Sequence, residues 1–225
     1  MWNKTCCRIV VKVGTSTLTH DTGAVNLRSM EELIRVLSDL SGYGHQVILV
    51  SSGAIVVGTS KLSLPERPRE LRMKQAAAAV GQCQLMHIYD KLFAEYHHIV
   101  AQILLTAEDV MSDKRREYFQ NTLFRLLELN ALPIVNENDT ISTEELNFGG
   151  NDTLSAYVAL ITHADLLINL SDVDGLYDRD PRKHPDAKLV SRVDSLDDTV
   201  LAMAGGAGTE RGTGGMATKL SAAKV

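Results

Sequence analysis

Short runs of Val, Ile and Leu recur along the chain, separated by longer segments whose apolar residues return every three or four positions. Arg8 to Val13, Gln46 to Ser51, Ile99 to Leu105, Leu132 to Val135 and Leu166 to Leu170 read as strands. Their apolar character is nearly continuous rather than alternating, which predicts strands covered on both faces, as in a parallel sheet. Between the first two, Leu27, Met30, Leu33, Ile34, Leu37 and Leu40 keep helical spacing. A long helix is expected from about Arg69 to Tyr96, with Ala76 to Ala79 at its centre. Phe119, Leu123, Leu126 and Leu127 mark another, Leu154, Tyr157, Val158 and Ile161 a further one, and Met216 to Val225 a last. Strands and helices in alternation predict an α/β fold, a three-layer α/β/α sandwich around a central, mostly parallel sheet.

The 225 residues suit one sizeable domain or two small ones. No internal repeat or low-complexity linker divides them, and Pro65 with Pro68, and Pro181 with Pro185, bracket loops within a domain. One domain, residues 1–225, is the expectation. Hydrophobic residues make up 44% and charged residues 23%, which argues against intrinsic disorder. Lys plus Arg number 23 against 28 Asp plus Glu, a net charge of −5, so there is no basic surplus to neutralise a nucleic-acid backbone. Cys6, Cys7 and Cys83 form no CxxC pair and lie near no His at zinc-ligand spacing, and they read as thiols of a reducing cytosol. Met1 to Arg8 has no apolar run resembling a signal peptide, and the apolar stretches are too short for a bilayer's ~20 residues. A soluble cytoplasmic protein is expected, with neither nucleic acid nor membrane as partner.

In open α/β sheets ligands bind beyond the carboxyl ends of the strands, so the residues following each strand are where chemistry is sought. The first strand ends in Lys12-Val13-Gly14-Thr15-Ser16 and the second leads into Ser51-Ser52-Gly53-Ala54. The fourth is followed by Asn136-Glu137-Asn138-Asp139 and the fifth by Ser171-Asp172-Val173-Asp174-Gly175. Singly, each has an ordinary explanation: a snorkelling lysine, a helix-capping turn, a solvated loop, a tight turn. Four polar clusters at the same edge of one sheet argue for a site.

Gly212-Thr213-Gly214-Gly215-Met216-Ala217-Thr218-Lys219 opens the last helix. Its glycines permit close approach to a phosphate, and helix-start amides point toward negative charge. The order of residues is not that of a P-loop, and neither a preceding strand nor a following acid supports a dinucleotide fingerprint. A phosphate cradle remains, with Lys219 in reach. Asn151 or Asp152 would cap the helix near Leu154. Alternatively, Asp152 sits between Lys12 and Lys219, which would otherwise repel one another. Two lysines with phosphate-binding glycines point to phosphoryl transfer, where catalysis is positioning and charge stabilisation. No Ser-His-Asp arrangement or nucleophile elbow competes, and the seven histidines are scattered.

Together these strings, with Val11 to Ser16, Gly149 to Asp152 and Ser171 to Tyr177, resemble the amino-acid kinase superfamily from about Arg8 to the last residue. Within it, Asn136-Glu137-Asn138-Asp139 and Gly212 to Lys219 are similar to the branch that phosphorylates the γ-carboxylate of L-glutamate, opening proline biosynthesis. The resemblance implies transfer of the ATP γ-phosphoryl group, with magnesium bridging the phosphates and no protein metal-ligand cluster. It implies that Lys12 and Lys219 stabilise the transferring group and that Asp152 holds both lysines. Lys12, Ser171, Asp172, Thr213, Gly214, Gly215, Met216, Ala217, Thr218 and Lys219 would contact ATP. Ser52, Gly53, Asp139 and Asn151 would bind glutamate, with Gly14 and Gly53 lending amides near its phosphorylated end. Homo-oligomers and feedback inhibition by proline are implied as well.

The chain departs from the family's pattern in three places. Gly150 stands where an acidic residue is common, and Ser171 where Thr is usual. The family's kinase domain continues beyond the position of Val225, so C-terminal strands are expected to be missing, as is the PUA domain many members add. Two other readings compete: a sibling kinase acting on N-acetylglutamate, aspartate, carbamate or UMP, and a truncated amino-acid- or nucleotide-binding sensor domain.

Overall fold

The computed structural model describes residues 6–142, 148–204 and 215–225. Five strands, β1 (Arg8–Val13), β2 (Gln46–Val50), β3 (Ile99–Leu105), β4 (Ala131–Glu137) and β5 (Leu166–Leu170), form one sheet in the order β3-β4-β2-β1-β5. Every pairing is parallel, with β1 in register with β2 from Arg8↔Gln46 to Lys12↔Val50 and with β5 from Ile9↔Leu166 to Val13↔Leu170.

The helices are α1 (Thr15–Leu18), α2 (Leu27–Gly42), α3 (Ala54–Lys61), α4 (Leu71–Ala94), α5 (Ala107–Met111), α6 (Asp113–Glu128), α7 (Asn151–Ile161), α8 (Asp198–Met203) and α9 (Met216–Ala222). Because successive strand residues face opposite sides of a sheet, each strand feeds two cores. Ile9, Val11, Val13, Leu49 and Ile134 pack against α2, α3 and α4, whereas Val10, Ile48, Val50 and Val135 pack against α5, α6 and α7. That double burial is why the strands read as continuous apolar runs, and it makes the three-layer α/β/α sandwich.

The element boundaries follow local chemistry. Asn26 caps α2, its side chain accepting from the Ser29 amide at 3.2 Å. Thr106 and Asp109 form a capping box that starts α5, a short helix the apolar pattern does not announce. β4 runs two residues past its expected end, so Asn136 and Glu137 are not loop residues but buried strand residues, 2% and 9% exposed. The long helix is trimmed to Leu71–Ala94 and the last to Met216–Ala222.

The α3–α4 pair is held by two glycines. A Cβ on Gly58 would lie 1.7 Å from the Ala77 carbonyl oxygen, and one on Gly81 would lie 1.8 Å from that of Ala54. The helices therefore meet backbone to backbone. This packing fixes the start of α3 beside the end of β2, where the polar residues gather.

Candidate active site

The carboxyl ends of β1, β2, β4 and β5 open onto one cavity of about 370 Å³. Lys12, Ser52, Gly53, Asp139, Asn151, Asp152, Ser171, Asp172 and Lys219 all line it, so residues spread from the first strand to the last helix are brought together. The chain leaves β1 toward β2 and, after β4, crosses to β5 on the other side of β1. Lys12 thus stands where the strand order reverses, the usual crevice for a ligand in an open α/β sheet.

At the floor of the cavity is a charge triad. Lys12 Nζ lies 2.7 Å from Asp152 Oδ1, and Lys219 Nζ lies 3.4 Å from Asp152 Oδ2. The Thr218 hydroxyl donates to the same Oδ2 at 2.8 Å. Lys12 is only 7% exposed and Asp152 3%, so the lysine at the strand end does not snorkel to water. Burial pushes the Asp152 carboxyl up, but the hydrogen bonds and charges of Lys12, Thr218 and Lys219 outweigh it and hold the group below the ordinary range. Burial lowers the Lys12 ammonium, with Asp152 opposing and the nearby Lys219 charge adding to the fall. One carboxylate thus faces two cations, and the triad keeps a net positive charge aimed at the cavity.

Asn151 and Asp152 begin α7, but neither caps it: the preceding residue is Gly150, at φ 124°, and no side chain accepts from the helix amides there. That left-handed backbone suits a glycine and frees both side chains for the cavity. The Asn151 amide donates to the Ser51 carbonyl at 2.7 Å, to Ser52 Oγ at 2.8 Å and to Asn136 Oδ1 at 2.9 Å. Asn136 in turn donates to Gln82 Oε1 at 2.8 Å, and Ser51 Oγ meets the Tyr89 hydroxyl at 2.9 Å. A buried polar lattice therefore ties α4 to the ends of β2 and β4 and to the start of α7.

Two acidic residues beside the triad, Glu137 and Asp139, also line the cavity. Glu137 accepts from Ser142 Oγ at 2.9 Å and from the Phe148 amide at 3.4 Å. Burial raises the Glu137 carboxyl, the two hydrogen bonds opposing. Burial and the neighbouring Glu137 charge push Asp139 up to about 6, with Arg67 opposing. The same cavity is lined by Arg67, Leu71 and Lys74 from the α3–α4 connection and the start of α4.

Of the glycine string, Gly212, Thr213 and Gly214 lie outside the described residues. Gly215 is the residue before α9, and Met216 and Ala217 begin that helix without lining the cavity. Thr218 acts on Asp152 and Lys219 enters the site. Sequence reasoning missed Arg67, Lys74 and the buried placement of Asn136 and Glu137. Arg67 had a local signal, an arginine held between Pro65 and Pro68.

The sequence profile described as the amino acid kinase family matches residues 8–224. The chain belongs to the amino acid kinase family. It is 56% identical over 222 residues to a glutamate 5-kinase of Clostridium perfringens, covering 97% of this chain and 82% of that protein. To a glutamate 5-kinase of Caldanaerobacter subterraneus subsp. tengcongensis it is 54% identical over 218 residues, covering 97% of this chain but 59% of that protein. The chain therefore spans most of the first relative and under two thirds of the second. Among solved structures, an isopentenyl phosphate kinase matches at a TM-score of 0.60 with 18% identity, covering 88% of this chain and 85% of that one. A Synechocystis aspartate kinase matches at 0.55 with 15% identity, covering 83% and 32%. Both share the fold. Membership in this kinase family brings ATP as the phosphoryl donor.

Proposed function

We propose that the chain transfers the γ-phosphoryl group of ATP to the γ-carboxylate of L-glutamate, giving γ-glutamyl phosphate and ADP, the first step of proline biosynthesis. The observation that carries this reading is the Lys12–Asp152–Lys219 triad on the floor of a cavity at the carboxyl edge of the sheet. More than half of the residues are identical to those of proteins named for this reaction. A carboxylate oxygen forms the new P–O bond while the bond from the γ-phosphorus to the bridging oxygen breaks, and ADP leaves with that oxygen's charge. The acceptor is ionised at neutral pH, so no general base is required.

In this reading Lys12 and Lys219 neutralise charge on the phosphoryl oxygens, and Asp152 keeps two like charges within one small volume. Ser171, Asp172 and the stretch from Thr213 through Lys219 hold the nucleotide. Ser52, Gly53, Asp139 and Asn151 hold glutamate, with Asp139 facing its ammonium group. Magnesium would arrive on the triphosphate. No group of three His, Cys, Asp or Glu among the described residues is placed to hold a metal, and the oxygens of Asp152 are engaged by Lys12, Lys219 and Thr218. No step is therefore assigned to a protein-bound ion.

Residues 1–225 are read as one kinase domain acting in the cytoplasm, which suits Cys6, Cys7 and Cys83, none of them in a disulfide. No helix of the described residues is long and apolar enough to cross a membrane. Self-association and inhibition by proline, which shares the α-carboxylate and α-nitrogen of glutamate, belong to the same proposal. The test is magnesium-dependent ADP release with L-glutamate in the presence of hydroxylamine. Glutamate-dependent hydroxamate supports acyl-phosphate chemistry, whereas ADP release without hydroxamate sinks it.

A further inference from the structure

Three donors among the described residues share the two carboxylate oxygens of Asp152. Lys12 Nζ lies 2.7 Å from Oδ1, while Oδ2 has the Thr218 hydroxyl at 2.8 Å and Lys219 Nζ at 3.4 Å. On Oδ2 the neutral donor is therefore the nearer one, and Lys219 makes the longest of the three contacts. Thr218 is partly buried in the first turn of α9 and, unlike Lys219, does not line the cavity. Its hydroxyl also lies 2.8 Å from the Gly215 carbonyl, but it has a single hydrogen to give, and a carboxylate is the stronger acceptor.

We propose that Thr218 is a positioning residue for phosphoryl transfer: its hydroxyl holds Asp152 Oδ2 and so frees Lys219 to give its charge to the transferring group. The inference rests on the phosphoryl-transfer reading of the site and adds to it a side chain that acts through Asp152 alone. A buried carboxylate oxygen left without a donor is costly, so some group must stay on Oδ2 as Lys219 turns toward the phosphates. A third cation there would add repulsion to a site that already holds Lys12 and Lys219. A hydroxyl supplies the hydrogen bond without the charge. The Thr218 amide also donates to the Gly215 carbonyl, at 3.1 Å, so the hydroxyl is carried on a closed turn of chain. That mount keeps Asp152 aimed before the reaction begins, which is where electrostatic catalysis gains most. Without the hydroxyl, Lys219 is the one described donor left on Oδ2 and is held back from the phosphates.

The experiment measures hydroxamate formation from ATP and L-glutamate by the full chain as wild type, Thr218→Val, Thr218→Ser, Asp152→Asn and the Thr218→Val/Asp152→Asn double variant. Thr218→Val keeps the shape and removes the hydroxyl. Its kcat is expected to fall about tenfold, as loss of a hydrogen bond to a charged group allows, with KM for both substrates held within about twofold. Thr218→Ser keeps the hydroxyl and drops the methyl, and should return kcat to within about threefold of wild type. In the Asp152→Asn background the valine should cost less than about twofold more, because the group it acts through has already lost its charge. Thr218→Ala carries the same expectations as the valine and replaces it if the valine does not fold. A role in packing would leave Thr218→Ser as impaired as Thr218→Val. Direct contact with the nucleotide would raise KM for ATP and add in full to Asp152→Asn. Either result overturns the proposal, as does an unchanged kcat in Thr218→Val beside a working wild type. A wild-type chain that binds ATP yet makes no hydroxamate from L-glutamate brings down the underlying reading instead.

Discussion

Lys12 Nζ sits 2.7 Å from Asp152 Oδ1 with both side chains almost wholly buried, at the end of the strand where the order of the sheet reverses. Taking either charge out of water costs several kcal/mol, and only the partner offsets it. Asp152→Asn removes the anion but keeps the shape, leaving Lys12 and Lys219 to repel one another. It should lower kcat by about 100-fold or more, the range seen when a preorganised electrostatic element is lost. Urea unfolding should show a loss of about 3–5 kcal/mol, as for half of a broken buried pair. Retained kcat would place the triad outside the chemistry.

Lys219 makes a longer contact to the same carboxylate, 3.4 Å, and is less enclosed than Lys12. Its removal should leave the fold standing while removing charge from the transferring phosphoryl group. Lys219→Ala is expected to abolish turnover and largely spare L-glutamate binding measured by calorimetry. Unchanged turnover would exclude the role.

Asp139 ties function to pH. Its carboxyl is pushed up to about 6 by burial and by Glu137, so it is neutral below that value and ionised above it. KM for L-glutamate should therefore rise as pH falls through about 6, while KM for ATP stays flat, and Asp139→Ala should raise the glutamate KM at every pH. The stability sign runs the other way. A carboxyl raised in the folded state binds its proton more tightly there than in the unfolded chain, so its contribution is present at low pH and is lost as pH climbs from the ordinary carboxylate value through about 6. Asp139→Asn should thus raise the melting temperature at pH 8 and change it little at pH 3, below the ordinary carboxylate value. Equal shifts at both pH values would contradict the assignment.

The legible and illegible parts of the sequence divide along physical lines. β1, β3 and β5 begin and end where their apolar runs do, each run carrying at most one interior polar residue, Lys12, Gln102 or Asn169. β4 misleads: Asn136 and Glu137 look like loop residues, yet they are buried and paired by Gln82, Asn151, Ser142 and the Phe148 amide. Hydrogen bonds from distant elements permit what local polarity forbids, and no local pattern announces them. Asn151 and Asp152 show the converse, looking like caps while spending their side chains on residues 51, 136 and 12. The cation wall formed by Arg67 and Lys74 depends on how α3 and α4 pack, which two isolated glycines fix.

Those glycines carry a prediction of their own. An alanine methyl at Gly81 would lie 1.8 Å from the Ala54 carbonyl oxygen, a backbone atom that cannot swing aside. Gly81→Ala must force α3 away from α4 and shift the end of β2 with it. The expected cost is about 3 kcal/mol or more, at the upper end for overpacking. In a chain of 225 residues that is roughly a 6–12 °C fall in melting temperature. A variant melting within a degree or two of wild type would mean the helices do not meet this closely.

Asn151 allows a sharper test of the buried lattice, because Asn151→Asp keeps the shape and reverses the hydrogen-bonding sense. The amide donates to the Ser51 carbonyl, Ser52 Oγ and Asn136 Oδ1. A carboxylate there would set oxygen against oxygen at the first and third, while Ser52 could turn its hydroxyl to donate. Asn136 Oδ1 keeps the Glu137 amide as a donor, so the Ser51 carbonyl is the acceptor left without one, and the variant should lose about 1–3 kcal/mol in urea unfolding at pH 8. The loss should shrink as pH falls, since a protonated carboxyl regains one donor. Because the lattice holds Ser52 at the cavity, the glutamate KM should rise with it while the ATP KM does not. An Asn151→Asp variant with wild-type stability at pH 8 would show that the amide does not knit β2, β4 and α7 together.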